Sequence, residues 1–130
     1  MAGDELRHHT EPWLDTLDAP FSHAVIDDRY VFLSGVVAAD VPGGLEAIGD
    51  IVAETRVVME AISRVLADLG TSMARVVRVD VHLTDLEDMD IMNAIYAEYF
   101  PERLFPARTC TESPALAGGS NVEITCIARR

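Results

Sequence analysis

Residues 75–90, RVVRVDVHLTDLEDMD, hold the change of period from which the fold is read. Over 75–84 the pattern alternates, with Val77, Val79, Val81 and Leu83 on one row and Arg78, Asp80 and His82 on the other, which predicts a half-buried strand. Thr84-Asp85-Leu86-Glu87 then has the form of a capping box. It opens a helix whose Leu86, Met89, Ile95, Tyr96 and Tyr99 are expected to pack inward and which Phe100-Pro101 ends.

The same reading extends in both directions. Upstream, Asp50 can cap a helix from 51 to about 69, where Ile51, Val58, Ile62, Val65 and Leu69 recur at the helical period and Gly70 supplies the stop. Before it, HAVIDD (23–28) and YVFLSGVVA (30–38) read as a hairpin turning at Asp27-Asp28-Arg29, followed by the loop Asp40-Val41-Pro42-Gly43-Gly44. Downstream come a strand around Arg108, a loop over 114–120 containing Gly118-Gly119, and a last strand, NVEITCIAR (121–129). The order is β-β-α-β-α-β-β. Two helices cannot cover both faces of such a sheet, so the expected fold is a single α+β domain with both helices on one face. The other face, with its row of Arg78, Asp80 and His82, is expected to meet another copy of the chain.

Composition narrows the function classes. A chain of 130 residues, 49% hydrophobic, is one domain with enough apolar material for a core. No apolar run is long enough to span a bilayer, and MAGDELRHHTEPW is too polar for a secretory leader, which makes the cytoplasm the expected compartment. A net charge of -12 without a basic cluster argues against nucleic-acid binding. The chain contains no lysine, which excludes a lysine Schiff base, a Walker-type phosphate loop and a lysine general base. Cationic recognition falls to arginine and histidine.

The chemistry-bearing residues are sparse. Cys110 and Cys126 are far apart, without CxxC or histidine at ligand spacing, and read as buried thiols rather than a metal site. His8 and His9 read as surface residues of a mobile tail, and His23 and His82 as structural residues of strands. Arg108, in RLFPARTCTE (103–112), is the exception. A guanidinium in a strand must be solvated or paired, and with no lysine in the chain Arg108 is one of few candidates for anion recognition.

Taken together, APFSHAV (19–25), YVFLSG (30–35), ETR (54–56), VVRVDVHLTDLEDMDIMNAIYAEYFP (76–101), PARTC (106–110) and VEITCIA (122–128) resemble the Rid family, the YjgF-like reactive-intermediate deaminases. The resemblance runs from about residue 19 to the C-terminus, leaving 1–18 as an N-terminal extension and 19–130 as the YjgF-like domain. It implies a chorismate-mutase-like fold, a homotrimer with ligand pockets at the subunit interfaces, and cofactor-free, metal-free hydrolysis of 2-aminoacrylate or 2-imino acids to 2-keto acids and ammonia. By the same resemblance Arg108 binds the substrate carboxylate and Glu123 positions or activates the attacking water. Cys110, Ser34, Gly35 and Asn93 match pocket-lining positions. Glu123 also reads as a strand carboxylate facing solvent or an arginine, and Cys110 and Asn93 also read as packing or interface residues.

Two positions depart from the family pattern. Phe21 stands where tyrosine is common and Val36 where glutamine is common, which removes two polar groups and suggests a drier pocket for a bulkier or more apolar imine. The alternatives are a non-catalytic trimeric binder of small carboxylates such as 2-keto acids, or a pathway-specific deaminase of an aminomuconate-like enamine. Trp13 either covers the edge of the core or closes the pocket beside Phe21.

Overall fold

The computed structural model describes residues 5–16 and 18–130. One sheet contains β1 (Arg7–His9), β2 (Ala24–Ile26), β3 (Tyr30–Leu33), β4 (Val36–Val37), β5 (Val76–Leu83), β6 (Ala107–Glu112) and β7 (Val122–Arg129). The strand order is β1-β2-β3-β7-β5-β6, with β4 also on β7. Only β5 and β6 run parallel. The helices α1 (Ile51–Asp68) and α2 (Met89–Ala97) complete an α+β fold.

The alternation predicted for 75–84 holds over most of β5. Val79, Val81 and Leu83 are buried, whereas Val77 is 39% exposed. The pairing with β7 slips between Val76 and Arg78, so Val77 is an extra residue and Val76 takes the inward place expected for it. With Val31, Leu33, Val122, Ile124, Cys126 and Ala128 these residues form the floor of the core.

Helix α1 covers that floor with Val58, Met59, Ile62, Val65 and Leu66, all at or below 1% exposure. Its Asp50 cap accepts the Val52 and Ala53 N–H groups, as expected. Gly70 closes it at φ 81°, where Thr71 N–H returns to the Leu66 carbonyl. The second helix differs at its start. The capping residue is Asp85, which accepts Glu87 N–H, while Thr84 donates to Asn121 Oδ1 instead. A 3-10 turn over Leu86–Asp88 precedes the α-helix, leaving Leu86 41% exposed and bringing Met92 into the core. Tyr96 and Ile95 face inward as read from the sequence.

The N-terminal histidines also differ from expectation. Arg7–His9 is an edge strand paired with Ala24–Ile26, and His9 Nε2 lies 3.1 Å from Glu11 Oε2. His23 is buried, its Nδ1 accepting Glu11 N–H at 2.6 Å, which agrees with a structural role. Trp13 donates to Asp68 at 3.0 Å, lies under Arg64 and packs against the edge of the core; it does not line the cavities that Phe21 lines. Among the described residues no helix is long and apolar enough to cross a membrane, and no cluster of ligating side chains suits a metal.

Candidate active site

The residues singled out from the sequence fall into two groups on opposite faces of the sheet. Arg108 of β6 is in register with Val79 of β5 and, beyond it, Cys126 of β7. It therefore points to the helix side. Glu123 is in register with His82, whose neighbour on β6 is Thr111, and so points to the open face. One copy of the chain does not bring the two together.

On the helix side, Arg108 Nη1 donates to Asn93 Oδ1 at 2.7 Å, and the guanidinium carbon sits 4.9 Å from the Tyr96 ring centroid. Asn93 and Tyr96 are three residues apart on α2 and so share a face, a signal present in the sequence but legible only once Arg108 is placed against it. Arg103, Phe105, Pro106 and Ala97 complete a cavity of about 380 Å³. Among the described residues no carboxylate lies within 4.0 Å of Arg108. Among the described residues the Tyr96 hydroxyl is buried without a hydrogen-bond partner, and burial pushes its pKa up to about 12 against the opposing pull of Arg108. Cys110, expected to line the pocket, is half-buried on the same side of β6 but is not among the residues lining this cavity; burial raises its thiol pKa against the opposing pull of Arg108, so at neutral pH it is a protonated thiol rather than a nucleophile.

On the open side, Ser34, Gly35, Phe21 and Glu123 share a cavity of about 610 Å³ with Asp15, Thr16 and Asp40, which were not singled out from the sequence. The hairpin's long second strand breaks here into β3 and β4. Between Phe32↔Ile127 and Val36↔Ile124 the hairpin side takes four steps against three on β7, so one extra residue kinks it. The kink lays Gly35 on the Glu123 carboxylate: a Cβ at that position would stand 2.2 Å from Oε2. Ser34 Oγ donates to the Ser22 carbonyl, and Phe21 is 49% exposed with its ring edge-on to His23. Asp40 has its carboxyl pKa raised by burial, which outweighs the attraction of His23.

A buried carboxylate holds this side in place. Glu54 is fully buried; its Oε2 accepts Asn121 N–H and Val122 N–H, and its Oε1 accepts from Asn121 Nδ2 and Gly49 N–H. It ties α1 to Asn121 and to Val122, the first residue of β7 and the neighbour of Glu123.

The sheet order, the two helices and this divided site define the chain's class. The family model described as endoribonuclease L-PSP matches residues 15–130, and the chain belongs to that family. Within it the chain is a Rid protein of YjgF-like fold. It is 33% identical to the human 2-iminobutanoate/2-iminopropanoate deaminase over 109 residues, 84% of this chain and 79% of the relative. It is 34% identical to the 3-aminoacrylate deaminase RutC of Acinetobacter baylyi over 85% of this chain and 86% of the relative. The crystal structure of the Rid-family protein YyfA from Yersinia pestis superposes with a TM-score of 0.89 at 29% identity, covering 97% of this chain and 100% of that one.

Proposed function

We propose that this Rid protein hydrolyses reactive enamine or imine intermediates of the 2-imino acid type to 2-keto acids and ammonia. It acts as a homotrimer in which the Arg108 cavity of one subunit faces the Glu123 cavity of the next. The observation that carries this reading is Arg108 itself: an unpaired guanidinium, oriented by Asn93, lining a cavity of a chain with 22 acidic residues and a net charge of -12. Guanidinium offers two parallel donors to a planar carboxylate and keeps its charge when half-buried. The names of the two deaminase relatives agree with this chemistry.

The mechanism follows from position. Arg108 anchors the substrate carboxylate and fixes the adjacent imine carbon. Glu123, against Gly35 and without a hydrogen-bond partner among the described residues, takes a proton from a water that attacks that carbon. The carbinolamine so formed loses ammonia and leaves the keto acid. Phe21 supplies shape but no hydroxyl, so proton traffic rests on Glu123 and water.

Arg108→Ala should abolish keto-acid release from imine generated in place by an amino-acid oxidase, while the oligomer stays intact. Equal rates for variant and parent would refute the assignment. Phe21 favours one second reading, a binder of small carboxylates at the same interfaces; saturable keto-acid binding without faster imine hydrolysis would establish it.

A further inference from the structure

The loop joining α2 to β6 has an unusual backbone. Glu102 and Arg103 are consecutive, neither is glycine, and their φ angles are 62° and 58°. Side chains other than glycine rarely adopt this conformation, and it persists only where the surroundings hold it. Here the anchor is an aromatic row. Phe105 packs edge-on to Phe100 at 6.2 Å, and Phe100, 3% exposed, packs on Tyr96 at 4.9 Å.

Each end of that row carries a guanidinium. Arg103 lies 5.2 Å from the Phe105 centroid and Arg108 lies 4.9 Å from that of Tyr96, and both line the same cavity. Stacking on a ring face holds a guanidinium while leaving its edge donors free. Among the described residues Arg103 makes no side-chain hydrogen bond and no ion pair, although acidic residues outnumber arginines 22 to 10 in this chain. Within one subunit these two like charges around one cavity have no counter-ion among the described residues, and they repel each other unless an anion lies between them. One carboxylate is satisfied by the fork of Arg108 alone.

We infer that Arg103 is a specificity-determining residue that binds a second carboxylate, so that the preferred substrates are dianionic: imines or enamines of 2-keto acids with a carboxylate at the far end of the side chain. Arg108 holds the carboxylate next to the reacting carbon. Arg103, exposed at the mouth, takes the distal one, and the spacer runs along Pro106 and Ala97. This deepens the proposed function and rests on its placement of substrate at Arg108. It departs from the expectation of a more apolar imine drawn from Phe21 and Val36: Phe21 lines the other cavity, and Val36, buried in register with Ile124, belongs to the core.

The test is calorimetric titration of the assembled protein with two unreactive probes, 2-oxoglutarate and 2-oxobutanoate. The parent should bind the dicarboxylate about tenfold or more tightly, the worth of one charge-assisted pair. Arg103→Gln should erase that preference by weakening 2-oxoglutarate about tenfold more than 2-oxobutanoate, whereas Arg64→Gln, which removes the same charge from the exposed side of α1, should leave the preference intact. Equal affinities in the parent, or a preference that survives Arg103→Gln or is lost in Arg64→Gln, would overturn the inference. If 2-oxobutanoate binds and Arg108→Ala removes it without any dicarboxylate preference, this inference alone falls. If neither probe binds the parent, the reading of Arg108 falls with it.

Discussion

Gly35→Ala tests the contact that places Glu123. A Cβ built at Gly35 would stand 2.2 Å from Glu123 Oε2, 3.0 Å from its Cδ and 3.1 Å from Thr125 Oγ1. Ordinary contact begins near 3.4 Å, so the carboxylate must retreat by about 1.2 Å. Gly35 does not have a positive φ, so alanine meets no backbone strain there. The carboxylate is the end of a flexible, half-buried side chain with no hydrogen bond to lose among the described residues, and the change in stability should stay within about 1 kcal/mol. Catalysis is less tolerant. A misplacement of about 1 Å in a positioning group costs on the order of 100-fold in rate, about 2.7 kcal/mol of barrier. The assay is keto-acid release from in-situ imine at saturating and limiting substrate, alongside thermal unfolding and 2-keto acid binding. The expected result is kcat reduced about 100-fold with binding and melting temperature nearly unchanged. Wild-type kcat in a folded Gly35→Ala protein would refute the role given to Glu123.

Two further outcomes follow from the same geometry. Glu54→Ala leaves four donors without their acceptor and should cost about 3 kcal/mol, lowering the melting temperature by roughly 10 °C, while Glu54→Gln should cost less because its carbonyl still accepts. Asp40 has a folded-state pKa above its ordinary 3.8, so the native chain holds its proton more tightly than the unfolded one and loses stability as pH rises through that range. Asp40→Asn should therefore raise the melting temperature at pH 7, and the advantage should vanish below about pH 3.8, read by thermal scans across pH.

Much of the fold was legible because its signals are local. The Asp50 cap, the Gly70 stop and the alternation in β5 each depend on a few neighbouring residues, and each is present in the structure. What differed depends on contacts distant in sequence. The extra residue at Val77 exists only relative to β7, and the break at Ser34-Gly35 reflects the approach of Glu123. Thr84 does not cap α2 because Asn121 engages its hydroxyl. Strand β1 is three polar residues whose alternation means nothing until β2 lies beside it.

The site divides in the same way. Arg108 stood out from the sequence because a strand guanidinium must be solvated or paired, and within the chain Asn93 orients it without neutralising it. Residue type alone does not tell which face of the sheet Arg108 and Glu123 occupy, nor that Arg103 reaches the Arg108 cavity from a loop with two left-handed residues.

The central claim is that Arg108 and Glu123 act on one substrate from two copies of the chain. Subunit mixing tests it most directly. Arg108→Ala and Glu123→Gln assemblies, each inactive alone, are unfolded together in equal amounts and reassembled. In a closed ring with head-to-tail contacts, about one interface in four then pairs an intact Arg108 with an intact Glu123. The account predicts recovery of about a quarter of the parent activity. Mixed assemblies that form but stay as inactive as either variant would contradict it.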